Sequence, residues 1–458
     1  MIVMKFGGTS VANAEAVSRT ISIVRGKLSE RPVVVVSALS KVTDLLYGIA
    51  DCAAAGDRAG AEEKLSMLRS RHDELAENLL AGNPELMGKA LSDVERICGE
   101  LSSFVFAVCS LGELTDRSRA RIISNGELLS STVIWHAMNA SGIGTAFVDA
   151  RRMIITSPDF MKGEPLADEI ARRVPEVLEE AWKGSDAVIT QGFIASTISG
   201  EPSVLGRGGS DYSASLIGMA ADAARIEIWT DVDGVRTADP RVVVNTRSID
   251  CISFGEAAEM AHSGAKVLHP MTIEPAVIKN IPVHVLNSMN PEGRGTAILG
   301  GSQSGDGVKS VAFKENISLI NISSPQMINV SGFLRRVFGV FSECRIPVDL
   351  ISAAETVVSL TVDGALDIDG AVERLSGFAV AEVFRDKSQI SVIGKNIAGL
   401  HGLLRGTMSS LKDCKVYTIS QGESFVNISF VVDRNSLGDA VREVHKYLFE
   451  TQENESGN

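Results

Sequence analysis

The sequence predicts an α/β protein with an open, mostly parallel sheet sandwiched between helices, followed by two smaller ferredoxin-like βαββαβ units. Apolar, β-branched runs alternate with helical stretches over the first two-thirds of the chain. A glycine- and serine-rich segment follows at 293–307, where the hydrophobic periodicity fades. The last third repeats one pattern of strands and helices. Alternation of strands with helices is typical of an open α/β sandwich, and the repeat adds the smaller units.

The apolar runs predict strands that are buried on both faces, because most are nearly continuous rather than alternately polar and apolar. They lie at 2–6, 32–37, 146–149, 187–190, 226–230 and 282–286. The longest helical stretch, 62–106, is broken near Gly82, Asn83 and Pro84. We therefore predict a helical hairpin inserted beside the sheet.

The repeat in the last third is marked by a local signature. The segment VDLIS (348–352) followed by Glu355 matches VYTIS (416–420) followed by Glu423. Each copy predicts a βαββαβ-type unit of roughly seventy residues. The glycine-rich segment before the first copy predicts a linker, with a short strand at 296–299.

Composition excludes several classes of function. The formal net charge of −13 gives no global field that would favour nucleic acid or an anionic membrane. The start of the chain has no basic leader, and no apolar stretch approaches ~20 residues, so we expect a cytoplasmic protein. The six scattered cysteines form no CxxC pair, and the seven histidines show no HxxxH or HExxH spacing. We expect reduced thiols and no dedicated metal site.

The first segment whose residues suggest a binding or catalytic role is KFGGTS (5–10), at the end of the first predicted strand. Gly7 and Gly8 allow a tight turn with bare N–H groups before a helix, which is an arrangement that binds anions. Lys5 lies close to the edge where open α/β sheets bind ligands. An ordinary strand–turn–helix with a surface lysine explains this segment equally well.

The second such segment is GRGGSD (206–211), which opens a helix of small residues. Arg207 offers a guanidinium that recognises carboxylate or phosphate through two hydrogen bonds. Asp211 in the first turn could simply complement the helix dipole. Two glycine-rich anion loops in one domain favour a ligand set with several anionic groups, such as a nucleoside triphosphate plus an acidic substrate.

Three further motifs are weaker by themselves. WTDVDG (229–234) with ADPR (238–241) is a strand end with an acidic turn, and acidic turns are mostly structural. SNGELLS (124–130) places Glu127 at a helix start, where a capping role would explain it. GAKVLHP (264–270) contains Lys266, which is either a second cation for phosphate or a solvated lysine.

These five motifs stand in the order seen in aspartate kinases, and the C-terminal repeat resembles the paired ACT domains of that family. The resemblance implies an amino-acid kinase fold for the catalytic domain (1–295). It further implies a linker with short strands (296–315), a first ACT domain (316–387) and a second (388–458). The chain is too short for an appended homoserine dehydrogenase domain, so it resembles the monofunctional enzymes, most closely the lysine-sensitive type.

The resemblance implies transfer of the ATP γ-phosphoryl group to the side-chain carboxylate of L-aspartate, giving 4-phospho-L-aspartate. This is the first step of lysine, threonine and methionine biosynthesis. The nucleophile has a solution pKa of roughly 4 and is already ionised, so no general base is needed. Mg²⁺ is expected to bridge the phosphates, held mainly by ATP and water. Another kinase of the same fold, or an amino-acid-sensing protein with a dead kinase domain, remains an alternative.

The resemblance also implies roles for single residues. Lys5 would contact the phosphoryl oxygens, and Asp211 would orient Lys5 or a metal-bound water. Arg207 would clamp a carboxylate of aspartate, and Glu127 would accept its α-ammonium group. The implied substrate pocket is completed by Thr43 and Ser210. The implied nucleotide positions are Lys5, Gly7, Gly8, Ser37, Thr230, Asp231, Arg236, Arg241, Lys266 and Val267. Arg236 departs from the family, since relatives often carry tyrosine there beside the adenosine.

An effector site is implied in the first ACT domain, with L-lysine as the expected effector. Its positions are Met327, Gly332, Phe333, Leu334, Val348, Asp349 and Glu355. N–H groups at a helix start suit the effector carboxylate, and Asp349 suits its ammonium group. Ala353 and Ala354 stand where lysine-sensitive relatives tend to carry hydroxyl residues, which leaves the effector open. The resemblance further implies a homodimer formed through the ACT domains.

Overall fold

The computed structural model describes residues 1–265, 270–300, 305–324, 331–421 and 426–451. The chain divides into two units. The first contains Met1–Val235 and Leu268–Gly300, and the second contains Arg236–Val267 and Gly301–Asn458. The second unit therefore takes a segment from within the first two-thirds of the chain.

The strands of both units follow in chain order. They are β1 (Ile2–Phe6), β2 (Pro32–Val36), β3 (Thr145–Val148), β4 (Ile155–Thr156), β5 (Ala187–Gln191), β6 (Ile194–Thr197), β7 (Pro202–Val204), β8 (Ile226–Thr230), β9 (Cys251–Ser253), β10 (Val283–Asn287), β11 (Thr296–Leu299), β12 (Gly307–Ser323), β13 (Ile351–Ala353), β14 (Val357–Asp363), β15 (Val380–Lys395), β16 (Val416–Gln421) and β17 (Asn427–Asp433).

The helices follow in the same order. They are α1 (Ala14–Arg25), α2 (Val42–Ala54), α3 (Arg58–Leu80), α4 (Pro84–Leu111), α5 (Asp116–Ile123), α6 (Asn125–Ala140), α7 (Ala167–Ala181), α8 (Gly209–Ala220), α9 (Phe254–His262), α10 (Pro270–Lys279), α11 (Phe333–Glu343), α12 (Asp369–Ser376), α13 (Leu403–Ser410) and α14 (Leu437–Lys446). Over the described residues, no helix is both long enough and apolar enough to cross a membrane.

The main sheet of the first unit pairs its strands in the order β3-β5-β2-β1-β8-β10-β11. All these pairs are parallel except β10 with β11. The six predicted strands of this unit are confirmed, each to within one residue at either end. Residues of β1, β2 and β5 are buried throughout, because helices cover both faces of a parallel sheet. The predicted fold class is thus confirmed.

The predicted helical hairpin is formed by α3 and α4. Asn83 ends the connection by capping α4, since its side-chain oxygen accepts a hydrogen bond from the Leu86 N–H at 3.1 Å. Pro84 is the first residue of α4, where its missing N–H costs nothing. The break in the sequence pattern therefore has a local cause, which explains why it could be predicted.

A small sheet of β4, β6 and β7 was not predicted. Its strands are two to four residues long and carry no apolar run of the kind that marks the main sheet. The backbone N–H of Leu205 donates to the Phe193 carbonyl at 3.0 Å. This contact holds the start of the 206–211 segment beside the loop that follows β5.

In the second unit, six of the described strands form one antiparallel sheet in the order β13-β14-β12-β15-β17-β16. The long strands β12 and β15 run through both copies of the repeat. The first copy uses 317–323 of β12 and 380–386 of β15, together with β13 and β14. The second copy uses 387–395 of β15 with β16 and β17.

The fourth strand of the second copy comes from upstream of the first copy. Residues 307–314 of β12 pair antiparallel with 389–395 of β15. The sequence pattern of the second copy ends in a helix, α14, and shows no closing strand after it. The N-terminal half of β12 takes that edge position, so the first copy is inserted within the second.

The segment 236–249 packs onto the second copy. Ala238 and Val243 belong to its apolar core together with Val441 and Val444 of α14. Thr237 Oγ1 lies 2.9 Å from His445 Nε2, and the Val311 N–H donates to the Thr237 carbonyl at 2.8 Å. These contacts explain why the segment belongs to the second unit.

Candidate functional site

Lys5 lies near the carboxyl end of β1, between β2 and β8 of the main sheet. The residue is only 9% exposed. Its Nζ lies 2.6 Å from Oδ1 of Asp211, in the first turn of α8. A nearly buried charge is stable only when it is paired, so this ion pair fixes the ammonium group in position. The two strongest sequence motifs are thereby brought together.

The two glycines of the Gly7-Gly8 turn have different roles. The Gly7 N–H donates to the Trp229 carbonyl of β8 at 3.1 Å, so it extends the sheet rather than facing a ligand. A Cβ on Gly8 would lie 3.0 Å from the Ala38 carbonyl oxygen. Gly8 therefore permits close approach to the loop after β2, and its N–H has no acceptor among the described residues.

The loop at residues 37–41 connects β2 to α2. The Ser37 N–H donates to the Phe6 carbonyl at 3.1 Å, and Ser130 Oγ donates to the Ser37 carbonyl at 2.9 Å. The Ala38 N–H donates to Glu127 Oε1 at 3.2 Å. Thr43, half-buried, follows in the first turn of α2. The loop thus lies against Gly8 and Glu127 through Ala38.

Glu127 is 4% exposed in the first turn of α6. Burial raises the pKa of its carboxyl group to about 8, although the hydrogen bond from Ala38 acts in the opposite direction. Its second oxygen, Oε2, is buried and has no hydrogen-bond partner among the described residues. A helix-dipole role does not require such burial. The geometry therefore fits a carboxylate that receives a cationic group of a ligand.

The segment 206–211 contains a turn that leads into α8 and the first residues of that helix. Gly206 and Gly208 have φ values of 76° and 71°, a left-handed conformation that side chains rarely adopt. Arg207 between them is exposed, and its guanidinium makes no ion pair with the described residues. Ser210 and Asp211 follow in the first turn of α8. The turn therefore presents a guanidinium whose charge is not neutralised by a described carboxylate.

Sequence reasoning missed the Gln191-Gly192-Phe193 segment that ends β5. A Cβ on Gly192 would lie 2.6 Å from the Ser210 Cβ, so only glycine fits against that residue. The Phe193 N–H donates to Ser213 Oγ at 3.0 Å, and Phe193 has a φ of 66°. The signal that could have found it is a polar residue and a glycine directly after a buried parallel strand.

Thr230 and Asp231 end β8, the strand next to β1. Thr230 Oγ1 lies 3.2 Å from Asp231 Oδ1, and Asp231 is exposed. The Thr230 carbonyl accepts from the Ser288 N–H at 2.8 Å. Because Phe6 pairs with Trp229, these two residues lie at the same edge of the sheet as the Gly7-Gly8 turn.

The other predicted nucleotide positions belong to the second unit. Arg236 donates from Nε to Thr246 Oγ1 at 2.7 Å and from Nη2 to the Thr246 carbonyl at 2.8 Å. Arg241 is exposed and forms a fork with Asp239, at 2.5 Å for the Nη2–Oδ2 pair, which raises the pKa of the guanidinium. Both side chains are thus engaged inside their own unit. Lys266 and Val267 lie outside the described residues.

The predicted effector positions surround the start of α11 and the approach to β13. Gly332 caps α11 with a φ of 93°, Phe333 is buried at 6% exposure, and Leu334 is 44% exposed. Val348 is half-buried and Glu355 is exposed. Met327 lies outside the described residues. Packing in the core explains the buried Phe333, but it does not explain the exposed Leu334 at the start of the helix.

Asp349 already has a cationic partner. Its Oδ2 lies 2.5 Å from Lys314 Nζ, and its Oδ1 lies 3.9 Å from His262 Nε2. The Asp349 side chain is 11% exposed. The carboxylate expected to receive an effector ammonium therefore holds an ammonium group of the chain itself.

The described residues contain no group of three or more His, Cys, Asp or Glu side chains that could hold a metal ion. Carboxylate oxygens are the hard donors that Mg²⁺ prefers. At the end of β1, Asp211 supplies one such carboxylate, which the ion pair with Lys5 already engages.

Comparison with known proteins bears on both units. Residues 1–287 match the amino acid kinase family, and residues 390–448 match an ACT domain. Lysine-sensitive aspartokinase 3 of Escherichia coli is 34% identical over 98% of this chain and 99% of its own length.

Solved structures agree with the sequence comparison. E. coli aspartokinase III in complex with aspartate and ADP has a TM-score of 0.83 and 33% identity, over 98% of this chain and 100% of that one. The same enzyme in complex with lysine and aspartate has a TM-score of 0.80 and 32% identity, with the same coverage. This chain belongs to the amino acid kinase family, and within it to the aspartokinases that carry an ACT domain.

Proposed function

We propose that the protein is a cytoplasmic aspartate kinase that transfers the γ-phosphoryl group of ATP to the side-chain carboxylate of L-aspartate. The product is 4-phospho-L-aspartate. The observation that carries this proposal is the Lys5–Asp211 ion pair, which joins the two glycine-rich segments at the carboxyl edge of the sheet. The similar E. coli structure that contains aspartate and ADP supports the choice of substrates.

The chemistry requires charge stabilisation rather than proton transfer. The attacking carboxylate is already ionised, so the difficulty is to bring two anions together and to stabilise the transferred group. Lys5 Nζ is a fixed cation for the phosphoryl oxygens, which is the preorganised electrostatic contribution expected in such a site. Asp211 holds that ammonium group in position, in agreement with the 2.6 Å contact.

The aspartate substrate is recognised through its two ends. Oε2 of Glu127, which has no hydrogen-bond partner among the described residues, accepts the α-ammonium group, and the guanidinium of Arg207 clamps a carboxylate. Thr43 and Ser210 complete the pocket with hydroxyl groups. Neither group forms an ion pair with the described residues, as expected of groups that bind the charged ends of a substrate.

The nucleotide is bound at the same edge of the sheet. Gly8 and Ser37 follow β1 and β2 there, Thr230 is the last residue of β8 and Asp231 follows it, whereas Gly7 contributes through the shape of the turn. Arg236, Arg241, Lys266 and Val267 remain nucleotide positions by resemblance only.

Magnesium fits this site as an ion carried by ATP. Since the described residues offer no cluster of three ligands, phosphate oxygens and water would supply most of its coordination. Asp211 would hold a metal-bound water. When bound, the ion would neutralise charge on the phosphates.

Replacement of Lys5 tests the proposed chemistry. We expect Lys5→Ala to lower kcat by several orders of magnitude, because no other described cation is paired with Asp211. The measurement is aspartate-dependent ADP release in a coupled assay, with circular dichroism to show that the fold persists. Lys89→Ala, which removes an exposed lysine of α4, is the control and should retain activity. Near-normal turnover of Lys5→Ala would contradict the assigned role, and no ADP release by the parent protein would contradict the function.

The raised pKa of Glu127 predicts that kcat/KM for aspartate depends on pH. Its ionised form binds the ammonium group, and its pKa is raised to about 8 by burial. We therefore expect kcat/KM for aspartate to rise with pH up to about 8 and then to level off, because this ratio reports ionisation of the free enzyme.

The Glu127→Gln variant should have a KM for aspartate raised at least about tenfold, because it loses a charge-assisted hydrogen bond. Its kcat/KM should no longer rise between pH 6.5 and 8. Glu95→Gln, on the exposed side of α4, should match the parent. An unchanged pH profile in Glu127→Gln would refute the assignment to the ammonium group.

We also propose that L-lysine inhibits the enzyme through the first ACT domain. The lysine complex of the similar E. coli enzyme supports this effector. Gly332 and Leu334 at the start of α11 offer N–H groups and an apolar wall, while Glu355 and Asp349 offer carboxylates. Because Lys314 already pairs with Asp349, a bound lysine must displace or share that contact. We further propose a homodimer assembled through the ACT domains.

Lys314 allows a specific test of regulation. Activity is measured with lysine, threonine and both together, and we expect inhibition by lysine. Lys314→Met frees Asp349, so the lysine concentration for half-inhibition should fall about three- to tenfold. Lys309→Met, on the same strand, is the control. A higher half-inhibiting concentration in Lys314→Met would contradict competition, and no response of the parent to any effector would remove feedback control.

A further inference from the structure

The helical hairpin of α3 and α4 carries a residue that contacts a loop of the candidate site. Arg71, on α3, is half-buried, and its Nη2 donates to the Ser40 carbonyl oxygen at 2.9 Å. Ser40 belongs to the 37–41 loop, which lies between Gly8 and Glu127. The hairpin therefore contacts the site through a charged hydrogen bond to the backbone of that loop.

The Ser40 backbone is part of the close packing on the Gly7-Gly8 turn. A Cβ on Gly8 would lie 3.0 Å from the Ala38 carbonyl oxygen and 3.5 Å from the Ser40 nitrogen. The same loop delivers the Ala38 N–H to Glu127 Oε1. A shift of Ser40 would thus change both the wall beside Gly8 and the support of the Glu127 carboxylate.

The loop also contains an unfavourable backbone conformation. Lys41, the residue before α2, has a φ of 64°, which is the left-handed region. A non-glycine residue persists there only when its surroundings hold it. The Ser40 carbonyl belongs to the peptide group that joins Ser40 to Lys41, and the φ of Lys41 is the rotation about the bond that follows this group. A hydrogen bond to that carbonyl therefore helps to hold the turn that leads to Thr43.

Arg71 is presented from a rigid element. Its neighbours on α3, Leu68, His72 and Leu75, are buried at 0%, 0% and 4% exposure. Arg69, on the same helix, instead pairs with the half-buried Asp73 and the exposed Glu95, at 3.2 and 3.3 Å. Arg69 and Arg71 thus have different partners: Arg71 contacts the 37–41 loop, whereas Arg69 pairs with carboxylates of α3 and α4.

We infer that Arg71 is a positioning residue for the aspartate half of the site: it holds the 37–41 loop so that Glu127 and Thr43 receive the substrate. This inference rests on the proposed function and extends it to the helical hairpin. Arg71 touches neither the reacting atoms nor the phosphates in this assignment. Its loss should therefore weaken aspartate binding more than it changes the chemical step.

Steady-state kinetics of Arg71→Ala, Arg71→Lys and Arg69→Ala test the inference on the full chain. We expect Arg71→Ala to raise KM for aspartate about tenfold, with kcat and KM for ATP within about twofold of the parent. Arg71→Lys should recover part of the loss, because an ammonium group can donate to a carbonyl but lacks the planar fork. Arg69→Ala should match the parent in all three parameters.

Hydrogen–deuterium exchange provides a readout that does not depend on turnover. Peptides covering 37–45 should exchange faster in Arg71→Ala than in Arg69→Ala, whereas peptides of β1 and β5 should not change. Equal KM values for aspartate in the two alanine variants would overturn the inference while leaving the function intact. A parallel loss of kcat, both KM values and thermal stability would also overturn it, because that pattern indicates a structural role. Lack of aspartate-dependent ADP release by the parent would instead refute the proposed function.

Discussion

The ion pair between Lys5 and Asp211 is the contact on which the candidate site depends. It places a cation at the carboxyl end of the central strand, where water is largely excluded and its field is strong. A lysine in that position needs a carboxylate, and the first turn of α8 supplies one that the helix dipole also favours. The pairing fixes the distance between β1 and α8, so the two glycine-rich turns face the same edge of the sheet.

The glycines around this pair are required by close approach as much as by backbone conformation. Gly8 lies against the Ala38 carbonyl, and Gly192 lies against Ser210, so a side chain at either position would push two segments apart. Gly206 and Gly208 instead provide the left-handed turn that leads into α8. The site is therefore assembled by segments packed backbone against backbone, which leaves the polar side chains as its lining.

Burial has a different consequence at Glu127. The carboxyl group is held by one N–H and is otherwise shielded from water, so its ionised form is disfavoured until a cation arrives. Under the proposed function, binding of the α-ammonium group of aspartate and ionisation of Glu127 would therefore be linked. Asp349 differs from Glu127 because its carboxylate already pairs with the ammonium group of Lys314. Oε2 of Glu127 thus has no partner among the described residues, whereas Asp349 is paired within the chain.

The sequence by itself determined the main strands, the helical hairpin and the order of the motifs, because these depend on local apolar runs, on caps such as Asn83 and on glycine spacing. Only the tertiary structure decided which groups meet. The Gly7 N–H donates to the Trp229 carbonyl, and Lys314 forms an ion pair with Asp349. Residues 307–314 supply the fourth strand of the second copy of the repeat. Each of these pairings joins segments far apart in the chain, and their partners are chosen by packing and by the need to pair buried charges, which no local pattern records.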